Sequence, residues 1–234
     1  MKSMMTDYEI LLNKNYAWVG ENVSNMIQRK ANFIFPHLER LDKGQGVDVL
    51  DMGCGEGLFE RILQREPRIR GLTAVDPHLG CSTASVSGWD PKVRFLRTPD
   101  ARLPFEAETF DLSFSASTLH HVPVPERAVF LSEIRRVTRK GGRVLLFEHN
   151  PWNLLTQLFF RNCPLDRGSR LLSVSTLKGL VVDAGMKVLK VKHFLFFPTW
   201  CGPLYRKEHY LENIPLGAQY CVIAERCRDE RDIV

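Results

Sequence analysis

The six cysteines of this 234-residue chain form no C-x-x-C pair and do not bracket a short, loop-rich stretch. That argues against a zinc ribbon or a disulfide framework, and no metal-ligand spacing of Cys and His is recognised. The cysteines read instead as reduced thiols of a cytoplasmic protein. Long apolar runs are also missing. "WNLLTQLFF" and "FLFFPTW" are the longest, far short of the ~20 residues of a bilayer span. The opening "MKSMMTDYEILLNKNY" has neither an uninterrupted apolar core nor a small-residue cleavage site, so no signal peptide is expected. No internal repeat or low-complexity tract is visible. Basic tracts are short: the net charge is +5, but Lys and Arg are dispersed among "RILQREPRIR", "IRRVTRKGGR" and "RNCPLDRGSR". Such dispersal suits solvated faces better than a nucleic-acid track.

What is present is an alternation of strand-like and helix-like segments. Residues 7–40 have apolar residues at helical spacing, and "LDKGQG" breaks them. "VDVLDMG" follows as a nearly continuous apolar run, the pattern of a strand buried on both faces. "GLFERILQRE" reads as a helix, then "GLTAVDP", "KVRFLRT" and "TFDLSFSAS" as strands. "PERAVFLSEIRRVTRK" is an amphipathic helix with Pro125 near its first turn and Gly141-Gly142 at its end. "GRVLLFEHN" is a fifth strand. "STLKGLVVDAGM" is a helix opened by Ser175 or Thr176 and closed by Gly185, and "KVLKVKHFLFF" and "GAQYCVIAER" are two last strands. The alternation predicts an α/β fold with a mostly parallel sheet. The expected organisation is one domain over residues 1–234: a helical cap (1–43), a ligand-binding core (44–149) and two insertions (150–174 and 194–217) on the substrate side.

The densest glycine cluster stands in "VLDMGCGEGLFE" (49–60). Glycines between a strand and a helix permit a sharp turn and close approach of a ligand. A dinucleotide site needs G-x-G-x-x-G, but the third position here is Leu58. The pattern present is D-x-G-x-G-x-G, with Asp51 two residues before Gly53. An acidic group there suits a cationic ligand better than a pyrophosphate. Asp76 ends the second strand in "AVDP", where a carboxylate can accept from both hydroxyls of a ribose. Asp100 follows the third strand, where a carboxylate can accept from the exocyclic amine of adenine, with the Ala101 backbone completing the edge. Any one of these aspartates is more often a cap or turn residue. Three of them ending three successive strands at one sheet edge point to a shared ligand.

"VLDMGCGEG", "AVDP", "DARLPFEAETFDLSFSASTLHHV", "FLSEIRRVTRKGGRVLLFEHN" and "LKGLVVDAGM" occur in order over residues 47–193. Together they resemble the motifs of class I S-adenosylmethionine-dependent methyltransferases, in particular the small-molecule branch that includes quinone-biosynthesis enzymes. The resemblance implies a Rossmann-like sheet of seven strands, helices on both faces and the last strand antiparallel. It also implies S-adenosylmethionine as cofactor and S-adenosylhomocysteine as product. Asp51, Gly53, Cys54 and Gly55 would line the methionine end and sugar, Asp76 with Pro77 the ribose, and Asp100 and Ala101 the adenine. Ser115, read as just past the fourth strand, would lie beneath the cofactor. "NYAWVGENV" resembles more weakly a segment that covers the methionine end, which would put Tyr16 and Trp18 over the site; the competing reading is a pair of core aromatics.

Methyl transfer requires alignment and dryness, and a base only where the acceptor holds its proton tightly. His120, His121, Glu148 and His149 lie after the fourth and fifth strands, near the ligand edge. His120, Glu148 and His149 are taken as catalytic candidates. Adjacent histidines do not easily point the same way, so one of His120 and His121 is expected to be structural. The insertions join large apolar residues with Arg161, Arg167, Arg170, Arg206 and Lys207. They suit an apolar, aromatic or lipid-like small-molecule substrate, or contact with a membrane surface; alternatively they pack on each other. Competing functions are an RNA or protein methyltransferase, a nicotinamide-dependent oxidoreductase, which Leu58 argues against, and a catalytically silent cofactor-binding partner. The oligomeric state is not legible.

Overall fold

The structure, a computed structural model, describes residues 23–78, 88–100 and 102–228. Tyr16, Trp18 and Ala101 lie outside the described residues. Seven strands form one sheet: β1 (Val47–Met52), β2 (Ile69–Asp76), β3 (Val93–Arg97), β4 (Phe110–Ala116), β5 (Thr138–His149), β6 (Met186–Phe194) and β7 (Gln219–Arg226). Their order is β3-β2-β1-β4-β5-β7-β6. β1 to β5 run parallel, and β7 is antiparallel to both neighbours, β5 and β6. The mostly parallel sheet with its antiparallel last strand is as the sequence predicts.

Alternation of side chains along each strand feeds two cores, one per face. Val47, Val49, Leu112, Phe114, Leu145 and Phe147 meet Ala31, Ile34 and Leu38 of α1 (Val23–Leu41). On the other face Leu50, Met52, Val144 and Leu146 meet Phe130, Leu131 and Ile134 of α3 (Arg127–Val137) and Leu177 and Val181 of α5 (Val174–Asp183). Burial on both faces is why the central strands read as apolar runs rather than alternations. Each fully buried Leu, Ile or Phe contributes about 1.5–3 kcal/mol.

Three local expectations are corrected. The helix expected over "GLFERILQRE" narrows to α2 (Glu60–Leu63), because the preceding residues are spent on the glycine turn. Gly141-Gly142 do not end α3. That helix stops at Val137, and the glycines lie inside β5, where its pairing with β4 shifts register between Phe110 and Leu112. Gly141 has φ +77°, and a Cβ on Gly142 would press on the carbonyl oxygens of Asp111 and Arg139, so the irregularity itself needs the glycines. Finally, α5 is capped by Ser173, whose hydroxyl accepts from the Thr176 N–H at 3.1 Å, rather than by Ser175 or Thr176.

The insertion after β5 folds into α4 (Leu154–Asn162) and a 3-10 turn, Pro164–Asp166; the one after β6 contains α6 (Pro203–Arg206) between two 3-10 turns. Asn150 and Asn153 join them. The Asn150 amide donates to the carbonyls of Pro215 and Gly217, and that of Asn153 to Leu216. No described helix is long and apolar enough to cross a membrane.

Candidate active site

A cavity of about 510 Å³ opens at the C-terminal ends of β1, β2, β3 and β4, the edge where open α/β sheets hold ligands. Gly53, Cys54, Gly55, Asp76, Pro77 and Asp100 line it. Gly53 adopts φ +92°, and a Cβ there would collide with the Thr118 side chain. The turn thus depends on bare backbone to bring β1 against the loop after β4. The glycine N–H groups are all engaged: Gly53 donates to Val75 O (2.8 Å), Gly55 to Asp76 Oδ2 (3.0 Å) and Gly57 to Cys54 O (3.1 Å). A pyrophosphate would need these donors free.

The side chains behind this turn are acidic. Asp51 is buried behind the loop, beside Glu60 of α2. No side chain other than its neighbour partners either carboxyl among the described residues. Burial, and then the neighbouring Glu60, raise Asp51 well above the carboxylate range. Burial likewise pushes Glu60 up to about 7. The Cys54 thiol is pushed up by burial and by the Asp51, Glu60 and Asp76 charges, which leaves it inert. Two buried carboxyls with only each other as side-chain partner keep a proton between them until a cation arrives to meet them.

On the far wall stand the residues after β4 and β5. His120 is buried, with Nδ1 at 2.7 Å from Glu148 Oε2 and Nε2 at 3.3 Å from Asp166 Oδ1. Burial alone would lower its pKa, but the Glu148 charge and the hydrogen bonds to Asp166 and Glu148 overcome this and raise it to about 9. Glu148 also accepts from the Leu119 N–H at 2.8 Å and lies behind the cavity wall rather than on it. His149 does line the cavity, and burial lowers its pKa to about 3, so it is neutral.

Contrary to expectation, His120 and His121 turn the same way. Successive tight turns from Thr118 to Val122 bring their rings to 4.1 Å at a tilt of 42°, and both Nε2 atoms face the Asp166 carboxylate. Ser115 is also displaced from its expected place: it is the penultimate residue of β4, its hydroxyl is buried without a partner, and Ser117 and Thr118 line the cavity instead.

Sequence reasoning missed Glu60, Asp166 and Lys30. Lys30 of α1 reaches the cavity wall fully buried, donating to Ser117 Oγ at 2.8 Å, and desolvation lowers its pKa to about 8. The only sequence signal for it is a lysine on the apolar side of an amphipathic helix.

The seven-stranded sheet of this order is shared with solved methyltransferases. Residues 50–146 match the family model described as "Methyltransferase domain". Over that stretch the chain carries a methyltransferase domain and is similar to S-adenosylmethionine-dependent methyltransferases. It is 37% identical over 108 residues to a phosphatidylethanolamine N-methyltransferase of Cereibacter sphaeroides (45% of this chain, 52% of that protein). It is 33% identical over 112 residues to the ubiquinone/menaquinone biosynthesis C-methyltransferase UbiE of Allorhizobium ampelinum (45% and 43%). This chain spans about half the length of these curated relatives. Among solved structures, a SAM-dependent methyltransferase from Archaeoglobus fulgidus superposes with a TM-score of 0.66 at 19% identity, covering 94% of this chain and all of that one.

Proposed function

We propose that this chain transfers a methyl group from S-adenosylmethionine to a small, apolar or lipid-like acceptor. The observation that carries the reading is the buried Asp51–Glu60 carboxyl pair beside Asp76, under a turn whose glycine N–H groups are all engaged. That combination repels phosphates and fits a cationic, phosphate-free ligand. Asp51 and Glu60 would offset the charge at the methionine end, Asp76 would accept from the ribose hydroxyls, and Asp100 would meet the adenine amine. When bound, the cofactor supplies a methyl group already activated by its sulfonium.

The protein's own work is then to align the acceptor and exclude water, which supplies up to ~7–11 kcal/mol. His120 is held through both ring nitrogens by Glu148 and Asp166, so it ties the insertion to the sheet and is not placed as the base for the acceptor. Where the acceptor must lose a proton, His149 and Lys30 are the groups at the cavity wall. Lys30, at about 8, is the better matched to neutral pH.

The acceptor class is supported by the insertions. A second, apolar cavity of about 110 Å³ lies between α4 and residues 195–198 and shares Met26, His149 and Phe159 with the first. Beyond it Trp152, Leu154, Leu155, Trp200, Leu204 and Leu216 are exposed. Exposed Arg161, Arg167, Arg170, Arg206 and Lys207 belong to the same two segments. An apolar rim with basic residues matches an anionic lipid surface from which a greasy acceptor could enter. The named relatives act on a phospholipid and on quinone precursors, in keeping with this.

S-adenosylhomocysteine at saturation is expected to raise the melting temperature by several degrees, and NAD to leave it unchanged; no shift with S-adenosylhomocysteine overturns the reading. Incubation with methyl-labelled cofactor and a cell extract is expected to label the lipid fraction. Label in RNA or protein would instead favour a macromolecular acceptor.

A further inference from the structure

We propose that His120, His121 and Asp166 form a site for one divalent first-row transition-metal ion, open to the main cavity. One ligand atom from each of the three residues can be chosen so that all lie within 4.8 Å of one another. The closest pairs are His120 Nε2 to Asp166 Oδ1 at 3.3 Å and His121 Nε2 to Asp166 Oδ1 at 3.6 Å. Ligands at ~2.0–2.1 Å from a tetrahedral ion stand ~3.3–3.4 Å apart. An ion could therefore enter between them with small side-chain shifts, displacing to solvent the proton that His120 Nε2 shares with Asp166.

Two further features distinguish this from a chance cluster. Each histidine has its other ring nitrogen occupied: His120 Nδ1 by Glu148 at 2.7 Å and His121 Nδ1 by Ser169 Oγ at 2.7 Å. Such outer hydrogen bonds turn Nε2 inward and strengthen it as a ligand. The charge also suits a divalent ion, since Glu148 and Asp166 are two buried carboxylates within the same assembly. The fourth position faces the cavity, because all three ligating residues line it and the His121 side chain remains 42% exposed. Two imidazoles and one carboxylate suit Zn²⁺, Co²⁺, Fe²⁺ or Mn²⁺ rather than Ca²⁺. An ion with one open position beside the cavity would take an oxygen donor, such as a hydroxyl or carboxylate of a small molecule.

The test is titration of chelator-treated full-length protein with Co²⁺, followed by its visible absorption, and with Zn²⁺ by calorimetry, both without the methyl donor. One ion per chain is expected. His121→Ala and Asp166→Asn should abolish binding, and Ser169→Ala should weaken it by ~10–100-fold. Because His121 is exposed, His121→Ala should keep the melting temperature of the metal-free protein, so its loss of binding cannot be put down to misfolding. The proposal is overturned by no saturable binding, or by binding that survives both His121→Ala and Asp166→Asn. Neither result bears on the methyltransferase reading, whose test is stabilisation by S-adenosylhomocysteine.

Discussion

Glu60 illustrates how a single side chain can tie ligand binding to pH. Its folded pKa stands near 7, against an ordinary value of 4.5, because burial outweighs the hydrogen bonds, from backbone and from Asp51, that would lower it. A carboxyl raised in this way favours the folded state below its unfolded pKa and loses that contribution as pH rises through about 7. The ligand-free protein should therefore lose stability between about pH 5 and pH 8, and Glu60→Gln should flatten that fall in a series of thermal melts. A cationic ligand works in the opposite sense, since it favours the ionised pair. Affinity for S-adenosylhomocysteine, with its ammonium, should rise from pH 6 to pH 8 in the native chain and rise less in Glu60→Gln. Asp76 has two duties, because its carboxylate accepts from the N–H groups of Gly55 and His78. Asp76→Ala should weaken the ligand tenfold or more by calorimetry while lowering the melting temperature by only a few degrees; unchanged affinity would remove Asp76 from the site.

Secondary-structure elements differ in how far their residues disclose them. The strands were legible because burial on both faces leaves little choice but apolar residues. The aspartates and glycines at the ends of β1 and β2 were legible because the turn constrains both type and spacing. Gly141-Gly142 misled because a helix stop and an irregular strand pairing ask for the same residue. Lys30 and Asp166 were not legible as site residues: Lys30 is 87 residues from Ser117, and Asp166 is 46 from His120, so only the folded chain brings them together. The glycine turn supplies a test at this scale. Gly53→Ala forces a Cβ onto Thr118 at φ +92° and should cost about 3 kcal/mol, part collision and part backbone strain. Adding Thr118→Ala should recover the collision part, about 1 kcal/mol or more, but not the strain. A denaturant-melt cycle of the four proteins separates the two.

The molecule as a whole has an uneven surface. Among the described residues, nine of the thirteen exposed large hydrophobics fall within the two insertions: Trp152, Leu154, Leu155, Leu158, Trp200, Leu204, Tyr210, Ile214 and Leu216. Elsewhere the exposed apolar residues are single and scattered. If this side meets a lipid surface, the protein should float with vesicles containing phosphatidylglycerol more than with pure phosphatidylcholine, and less at high salt. Trp152→Ser with Trp200→Ser should reduce that binding tenfold or more while leaving affinity for S-adenosylhomocysteine intact. Equal recovery with and without vesicles would refute a lipid-facing side, and concentration-dependent dimerisation abolished by the same pair would assign the patch to a second copy.

The carboxamides of Asn150 and Asn153 make the two insertions one unit, although the 19 residues from Ser175 to His193 lie between them in the sequence. If the insertions set the acceptor, as proposed, that preference is not a loop property that can be transplanted piecemeal. A chimera that imports either insertion alone inherits unmatched carbonyls at Pro215, Leu216 and Gly217, or asparagines with nothing to hold. Only an exchange of both, with the Asn pair and the 215–218 backbone kept together, carries a working rim to a new host. Natural divergence of this rim should then proceed by paired change, with the methyl-donor side left untouched.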